Sequence, residues 1–153
     1  MGDRWTAEFY EDRPGHFPIE SWFDSLTEIQ YAALRAAIVH LLEPEGLALA
    51  STPWLTPLKE GLYEFRVRHS AHNIVSMYGA ADQAPPASPE KILLRLFVHF
   101  HGGRVVLLLH GYDKSADDSP RRQQREIAEA RKRLGAWQRA EAAREKAQRR
   151  RRH

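Results

Sequence analysis

The sequence predicts an α+β fold: a small, curved, mostly antiparallel sheet, with an N-terminal helical hairpin packed on one face and a basic C-terminal helix. Three stretches rich in β-branched, aromatic and aliphatic residues predict the strands, at residues 61–68, 93–98 and 104–114. Gly102 and Gly103 lie between the last two stretches and favour a two-residue hairpin turn, because glycine accepts a positive φ.

The segment before these strands predicts one more strand and two helices. Residues 5–10 alternate between apolar and polar side chains, which is typical of a strand. Pro18 stands where a helix commonly begins. Thr27 and Gln30 form a capping-box pattern, so a second helix is expected to start there. Apolar residues at helical spacing in both segments predict a helical hairpin that lies on the sheet.

Two connecting segments are less regular. Residues 47–60 are expected to form a loop between the hairpin and the sheet. Residues 69–91 are interpreted as an insertion with a mobile surface tip around Pro85, Pro86 and Pro89, although residues 74–78 could extend or add a strand.

Length and composition limit the classes of protein to consider. A chain of 153 residues predicts one domain, here residues 1–137, followed by a basic, disordered tail at residues 138–153. The chain has no cysteine, which excludes disulfides and thiolate metal sites. No apolar run approaches the ~20 residues of a membrane span, and the N-terminus lacks a signal-peptide pattern. We therefore expect a cytoplasmic protein without membrane contact.

The charge distribution is asymmetric. Residues 120–153 hold thirteen Lys or Arg and four Asp or Glu, whereas residues 1–119 hold ten and sixteen. A basic arm on a mildly acidic body indicates a nucleic acid or another polyanion as the partner.

Strand alternation also predicts a basic face of the sheet. If the aliphatic faces of all the strands pack on helices, the opposite face collects Arg66, Arg68, Arg95, His99 and His110. Such a face suits a phosphate-rich ligand. An ordinary solvated outer face explains the same pattern equally well.

The familiar small-molecule and metal motifs are missing. The sequence contains no phosphate-loop glycine motif, no dinucleotide fingerprint and no serine nucleophile elbow. His99 and His101 are two residues apart, but no carboxylates with matching spacing accompany them. We expect neither a metal site nor a cofactor.

The order of these features resembles a known family. Residues 61–68 read Gly-Leu-Tyr-Glu-Phe-Arg-Val-Arg, residues 109–114 read Leu-His-Gly-Tyr-Asp-Lys, and Ser119-Pro120 precede a basic helix. This pattern resembles the HigB-like toxins of the RelE/ParE superfamily, in the branch described as phage-derived, over roughly residues 3–135. Three features depart from it: Ser115 replaces a second lysine, the 69–91 segment is inserted, and an arginine-rich tail follows.

The resemblance implies roles for particular residues. Arg66, Arg95 and Lys114 would stabilise charge on a phosphate during RNA cleavage. His110 would act as acid or base, since histidine titrates near neutral pH. Tyr112 would stack on a base or assist proton transfer. Glu64 and Gly111 also match the pattern, and Glu64 can simply pair with an arginine. The basic residues expected to bind RNA nearby are Arg68, His99, Arg121, Arg122 and Arg125.

The function implied by the resemblance is that of the toxin in a type II toxin–antitoxin pair. Such a toxin would cut mRNA, on the ribosome, with no metal or cofactor, and its partner would be a small antitoxin with a helix-turn-helix domain. Two alternatives stay open: a ParE-type inhibitor of DNA gyrase without nuclease activity, and a non-catalytic nucleic-acid-binding regulatory protein.

Overall fold

The computed structural model describes residues 4–152, and it has an α+β architecture around a five-stranded sheet. The strands stand in the order β1-β5-β4-β3-β2. Only the pairing of β1 with β5 is parallel, so the predicted mostly antiparallel sheet is confirmed. The strand bounds are β1 Thr6–Phe9, β2 Leu55–Pro57, β3 Tyr63–Val67, β4 Leu94–His101 and β5 Val105–Asp113.

The predicted helical hairpin packs on one face of the sheet. It consists of α1 Pro18–Ser25 and α2 Glu28–Ala37. The capping box that starts α2 is present: Gln30 N donates to Thr27 Oγ1, and Thr27 N donates to Gln30 Oε1, both at 3.0 Å. The chain continues through a π-helical turn, Ile38–Leu42, and a single α turn, α3 Glu43–Glu45. The hairpin and the sheet together enclose the larger of two apolar cores.

Two predictions about connections are wrong. The 47–60 segment is not a plain loop, because it contains a 3₁₀ helix, Gly46–Ser51, and the edge strand β2. The turn between β4 and β5 has three residues rather than two, with His101 paired to Val105. Arg104 takes the left-handed position, at φ +66°, which a three-residue hairpin loop requires at its last residue.

Within the 69–91 segment, residues 74–78 belong to a helix and do not extend or add a strand. Helix α4, Ala71–Tyr78, begins at Ser70, whose Oγ accepts a hydrogen bond from Asn73 N. Ile74 is fully buried in the larger core, and α4 packs against α2. The helix forms because Ser70 caps its first turn and its apolar face packs into the larger core.

The C-terminal helix is longer than predicted. Helix α5 spans Pro120–Arg152 and is capped by Ser119, whose Oγ accepts from Arg122 N at 3.1 Å. The tail predicted to be disordered is therefore helical as far as Arg152, while His153 lies outside the described residues. Its Ala, Glu, Gln, Lys and Arg residues are all good helix formers. None of residues 138–152 is buried. Glu141 and Arg144 still line a cavity with Glu8 of β1, and the residues beyond Arg144 form an exposed basic arm.

Helix α5 covers the second face of the sheet. A smaller core forms there between the sheet and the buried α5 residues Ala130 and Leu134. The prediction of an open basic face is therefore wrong, because α5 covers this face and apolar strand residues lie on it beside the basic ones. Strand β5 is buried on both sides and contributes to both cores, as strands covered by helices on both faces do. The apolar residues beneath α5 include Leu62, just before β3, and the strand residues Phe97, Leu107, Leu109 and Tyr112.

No helix within residues 4–152 combines the length and the apolar character needed to cross a membrane.

Candidate active site

A buried carboxylate lies at the centre of the polar cluster between the sheet and α5. Glu64 of β3 has no exposed surface. Its Oε1 lies 2.8 Å from Arg66 Nε and 3.8 Å from Arg95 Nε, so the first contact is a hydrogen bond and the second an ion pair alone. Gln123 Nε2, from the first turn of α5, donates to Glu64 Oε2 at 3.3 Å.

The sheet register lines up three of the predicted catalytic residues. Arg66 on β3 stands opposite Arg95 on β4, and Arg95 stands opposite Tyr112 on β5. These three side chains therefore form a row across three adjacent strands, on the face towards α5. Two like charges directly opposite one another are unfavourable. Glu64, two residues before Arg66 on the same face, lies within ion-pair distance of both guanidinium groups and offsets that repulsion.

Two polar atoms in this row are buried without a hydrogen-bond partner among the described residues. They are Arg95 Nε and Tyr112 Oη. Arg95 retains a long contact of 3.4 Å from one terminal nitrogen to Leu94 O. Most buried polar groups in folded proteins are hydrogen-bonded, so these two donors on neighbouring strands are unusual.

The charges of the row are unbalanced. Arg66 and Arg95 share the single carboxylate of Glu64, which leaves one positive charge without a partner in a largely buried layer. Burial lowers the pKa of Arg95, and the Glu64 carboxylate opposes that change. Burial also raises the pKa of Tyr112, with Glu64 adding to the effect, so its hydroxyl keeps its proton. An anion with several acceptor oxygens would satisfy both the charge and the donors.

The first two turns of α5 close over this row through polar contacts. The guanidinium of Arg122 lies 5.1 Å from the centre of the Tyr112 ring, a cation–π contact. Arg122 Nε is 3.3 Å from Glu126 Oε2, and Glu126 Oε1 is 3.1 Å from His110 Nε2. Arg122, which was predicted to bind RNA, therefore also helps α5 to cover the row.

His110 lies beside the row, and the ring of Phe97 contacts both His110 and Tyr112. A bulge in β5 pairs Phe97 with His110 and Val98 with Leu108, so Leu109 is the extra residue. The Phe97 ring stacks on His110 and on Tyr112, with centroids 6.1 Å apart in each case. Burial lowers the pKa of His110, and the hydrogen bond with Glu126 opposes that change. The ring is neutral at pH 7 and able to accept a proton.

The other basic residues are more exposed and less tightly held. Lys114 follows β5, where its backbone amide donates to Leu93 O, and its side chain is half-buried. Its ammonium group makes no hydrogen bond or ion pair with a described residue. Arg68, Arg121 and Arg125 are exposed.

His99 lies apart from the row, in the interface between β4 and the middle of α5. Its Nδ1 lies 2.7 Å from Gly61 O, and its ring packs on Trp137 at 5.4 Å. Both contacts hold the fold, so the structure does not bring His99 to the predicted RNA-binding surface.

Sequence reasoning missed the residues that α5 contributes. Gln123 and Glu126 complete the surroundings of Glu64 and His110, but nothing in a helix sequence tells which strand its polar face will meet. The expected pairing of Glu64 with an arginine is confirmed, but its complete burial was not predicted. Alternation along β3 did place it on the same face as Arg66, which was the available signal.

Comparisons with known proteins add no identification. Scanning the chain against models of protein families gives no match, and no curated protein is significantly similar to it. Within residues 4–152, no group of three or more His, Cys, Asp or Glu is arranged to hold a metal ion.

Proposed function

We propose that this protein is the toxin of a type II toxin–antitoxin pair, an endoribonuclease that cuts mRNA on the ribosome and stops translation. One observation carries the proposal: the row of Arg66, Arg95 and Tyr112, with its uncompensated positive charge and two unpaired donors. A phosphodiester of RNA supplies the negative charge and acceptor oxygens that this row lacks.

The proposed reaction needs no group from outside this chain. The ribose 2′-oxygen attacks the adjacent phosphorus, and the bond from phosphorus to the 5′-oxygen breaks. The products are a 2′,3′-cyclic phosphate and a 5′-hydroxyl. Arg66, Arg95 and Lys114 stabilise the charge that develops on the phosphate. His110 accepts the proton of the 2′-hydroxyl, and the Tyr112 hydroxyl donates to the phosphate or to the leaving oxygen.

Access to the row requires the start of α5 to move. The contacts there are polar: Gln123 with Glu64, Arg122 with Tyr112, and Glu126 with His110. The buried apolar anchors of α5, Ala130 and Leu134, lie further along the helix. Displacement of the first two turns therefore leaves the smaller core in place, and phosphate oxygens can then accept from the Tyr112 hydroxyl and from the guanidinium groups of the row.

The partner and location follow from the resemblance alone. A small antitoxin with a helix-turn-helix domain is the partner proposed, and the cytoplasm is the compartment in which mRNA and ribosomes are reached. The exposed arm of α5 supplies positive charge for contact with RNA.

The direct test is a triple variant, Arg66→Ala, Arg95→Ala and Lys114→Ala. Induced expression of the natural chain should arrest growth and create new transcript 5′ ends, and the variant should do neither. The matched control is Arg13→Ala, Arg35→Ala and Lys91→Ala, which removes the same number of positive charges from exposed positions. Thermal unfolding of both proteins separates loss of activity from loss of fold.

Full cleavage by a folded triple variant would show that these three residues are not the catalytic site. Growth arrest by that variant together with inhibition of DNA gyrase would instead favour the ParE-type activity.

A non-catalytic nucleic-acid-binding protein is the second candidate, and the closure of the row by α5 favours it. In that case the exposed arm of α5 does the binding and the row stays shut. The natural chain would then bind RNA tightly while every transcript remains intact.

A further inference from the structure

A cavity opens next to the row, at the edge of the sheet where β2 begins and β3 ends. It measures about 270 Å³. Arg66 lines it and also contacts Glu64, so the cavity and the row share one side chain. Helix α5 contributes nothing to its lining, and the cavity is open while the row is closed. The lining residues are Pro53, Trp54, Arg66, Arg68, His69 and Tyr78.

The aromatic part of the cavity is already organised. The Trp54 ring stacks on Phe65 of the larger core, with centroids 6.2 Å apart and planes at 29°. Tyr78, at the end of α4, meets Trp54 edge-on at 6.0 Å, and Trp54 Nε1 donates to Tyr78 Oη at 3.4 Å. The His69 ring lies 5.4 Å from Trp54. Stacking on rings that are already fixed loses little conformational freedom.

The charged part of the cavity is purely basic. None of the six lining residues is acidic. Arg68 is exposed and forms no ion pair with a residue in the described part of the chain, so its guanidinium is available to a ligand. Arg66 has about a quarter of its side chain exposed (27%) while it contacts Glu64. Aromatic rings beside cationic side chains are the combination that binds single-stranded nucleic acid.

We propose that this cavity binds one nucleotide of single-stranded RNA, next to the bond that is cut. The base stacks against Trp54 and Tyr78, and the adjoining phosphate pairs with Arg68. Arg66 then lies between this nucleotide and the phosphate held by Arg95 and Tyr112. The inference rests on the proposed nuclease function for its position beside the cleaved bond, but binding of the nucleotide itself does not require cleavage.

The proposal gives the inserted segment a role. Residues 69–91 supply both His69 and Tyr78, so the insertion builds one wall of the cavity. The base is recognised by stacking and size, because Trp54 Nε1 already donates to Tyr78 Oη, Arg66 already contacts Glu64, and Arg68 pairs with the phosphate. Strong discrimination among the four bases is therefore not expected at this position.

The test uses a 2′-O-methyl RNA hexamer, which the protein cannot cut because the attacking hydroxyl is blocked. Binding to the full chain is followed by fluorescence anisotropy and by quenching of tryptophan emission. Tyr78→Ala and Arg68→Gln should each weaken binding about five- to tenfold, and Trp54→Phe should remove most of the quenching. Tyr78→Phe should restore most of the affinity that Tyr78→Ala removes.

Matched controls lie on α2, away from the cavity. Tyr31 and Arg35 are exposed residues of the same types. Tyr31→Ala and Arg35→Gln should bind the hexamer like the natural chain. Since Tyr78 and Arg68 are both exposed, their substitution leaves the fold intact, and thermal unfolding checks this.

The outcomes separate this site from the nuclease proposal. With a cleavable RNA, Tyr78→Ala should raise KM and leave kcat unchanged, because the ring holds substrate without taking part in the reaction. Hexamer binding that depends on Tyr78, in a chain that never cuts RNA, supports the subsite and refutes the nuclease. Cleavage together with equal hexamer binding by Tyr78→Ala, Arg68→Gln and the natural chain refutes the subsite and leaves the nuclease standing.

Discussion

Arg95 and Tyr112 stand directly opposite each other on β4 and β5, and each carries a buried donor without a hydrogen-bond partner among the described residues. Leaving such a donor unpaired costs about 1–3 kcal/mol. Helix α5 covers both side chains, so water does not offset that cost freely. These two donors beside an excess positive charge are the observation on which the proposed phosphate site rests.

The carboxylate beside this pair should matter for stability. In Glu64→Gln, the buried guanidinium of Arg95 is left without its counter-charge, which should lower the free energy of unfolding by about 3 kcal/mol. Urea denaturation measures the change. Glu60→Gln is the control, since Glu60 is 87% exposed and its contact with Arg131 is 3.9 Å long; it should unfold like the natural chain. Equal stability of both variants would contradict the buried ion cluster.

The contact of β5 with the helical hairpin predicts a sensitive glycine. A Cβ on Gly111 would lie 2.3 Å from Trp22 Cζ3, and the ring has no flexible end with which to yield. Gly111→Ala should therefore destabilise the fold by about 1–3 kcal/mol through overpacking. Gly103→Ala in the β4–β5 turn is the matched control, because nothing lies within 4 Å of the added carbon. Thermal unfolding of the two variants should differ clearly.

Two histidines predict how stability depends on pH. Burial lowers the pKa of His101 and of His110 from the usual 6.5. The unfolded chain then binds protons more readily than the folded one, so stability is full above about pH 6.5 and falls as the pH drops further. Unfolding free energies at pH 7.5 and 5.5 measure the decrease, which His101→Gln should reduce. A natural chain more stable at pH 5.5 would reverse the sign and contradict the burial of these rings.

The exposed arm of α5 should bind RNA without contributing to the fold. Replacing Arg149–Arg152 by glutamine keeps good helix formers but removes four positive charges at the end of the arm. RNA affinity should fall, and the slope of log affinity against log salt should become shallower by about 0.7 for each phosphate that the arm no longer neutralises. The melting temperature should not change. An unchanged salt slope would show that these charges face solvent only.

Much of this fold could be predicted because local patterns determined it. The proline at Pro18, the capping box at Thr27 and the Ser119 cap each mark a helix start that the structure confirms. The alternation along β3 placed Glu64 and Arg66 on one face and Phe65 on the other, as found.

The remaining features depend on contacts that no local pattern records. Strand β5 is apolar on both faces, so its sequence did not tell which face would meet the hairpin and which would meet α5. The bulge that turns His110 towards Phe97 arises from pairing with β4. The docking of α5 converted an expected open surface into a covered site, and the mobility expected near Pro85 stays a prediction.

The most direct test of the account is Tyr112→Phe, measured for RNA cleavage and for stability on the same protein. The substitution keeps the ring that contacts Phe97 and Arg122 and removes only the unpaired hydroxyl. If that hydroxyl donates a hydrogen bond to the bound phosphate, cleavage should fall at least about tenfold, while the melting temperature stays the same or rises. Cleavage at the natural rate by a folded Tyr112→Phe protein would contradict the assignment of this row as the active site.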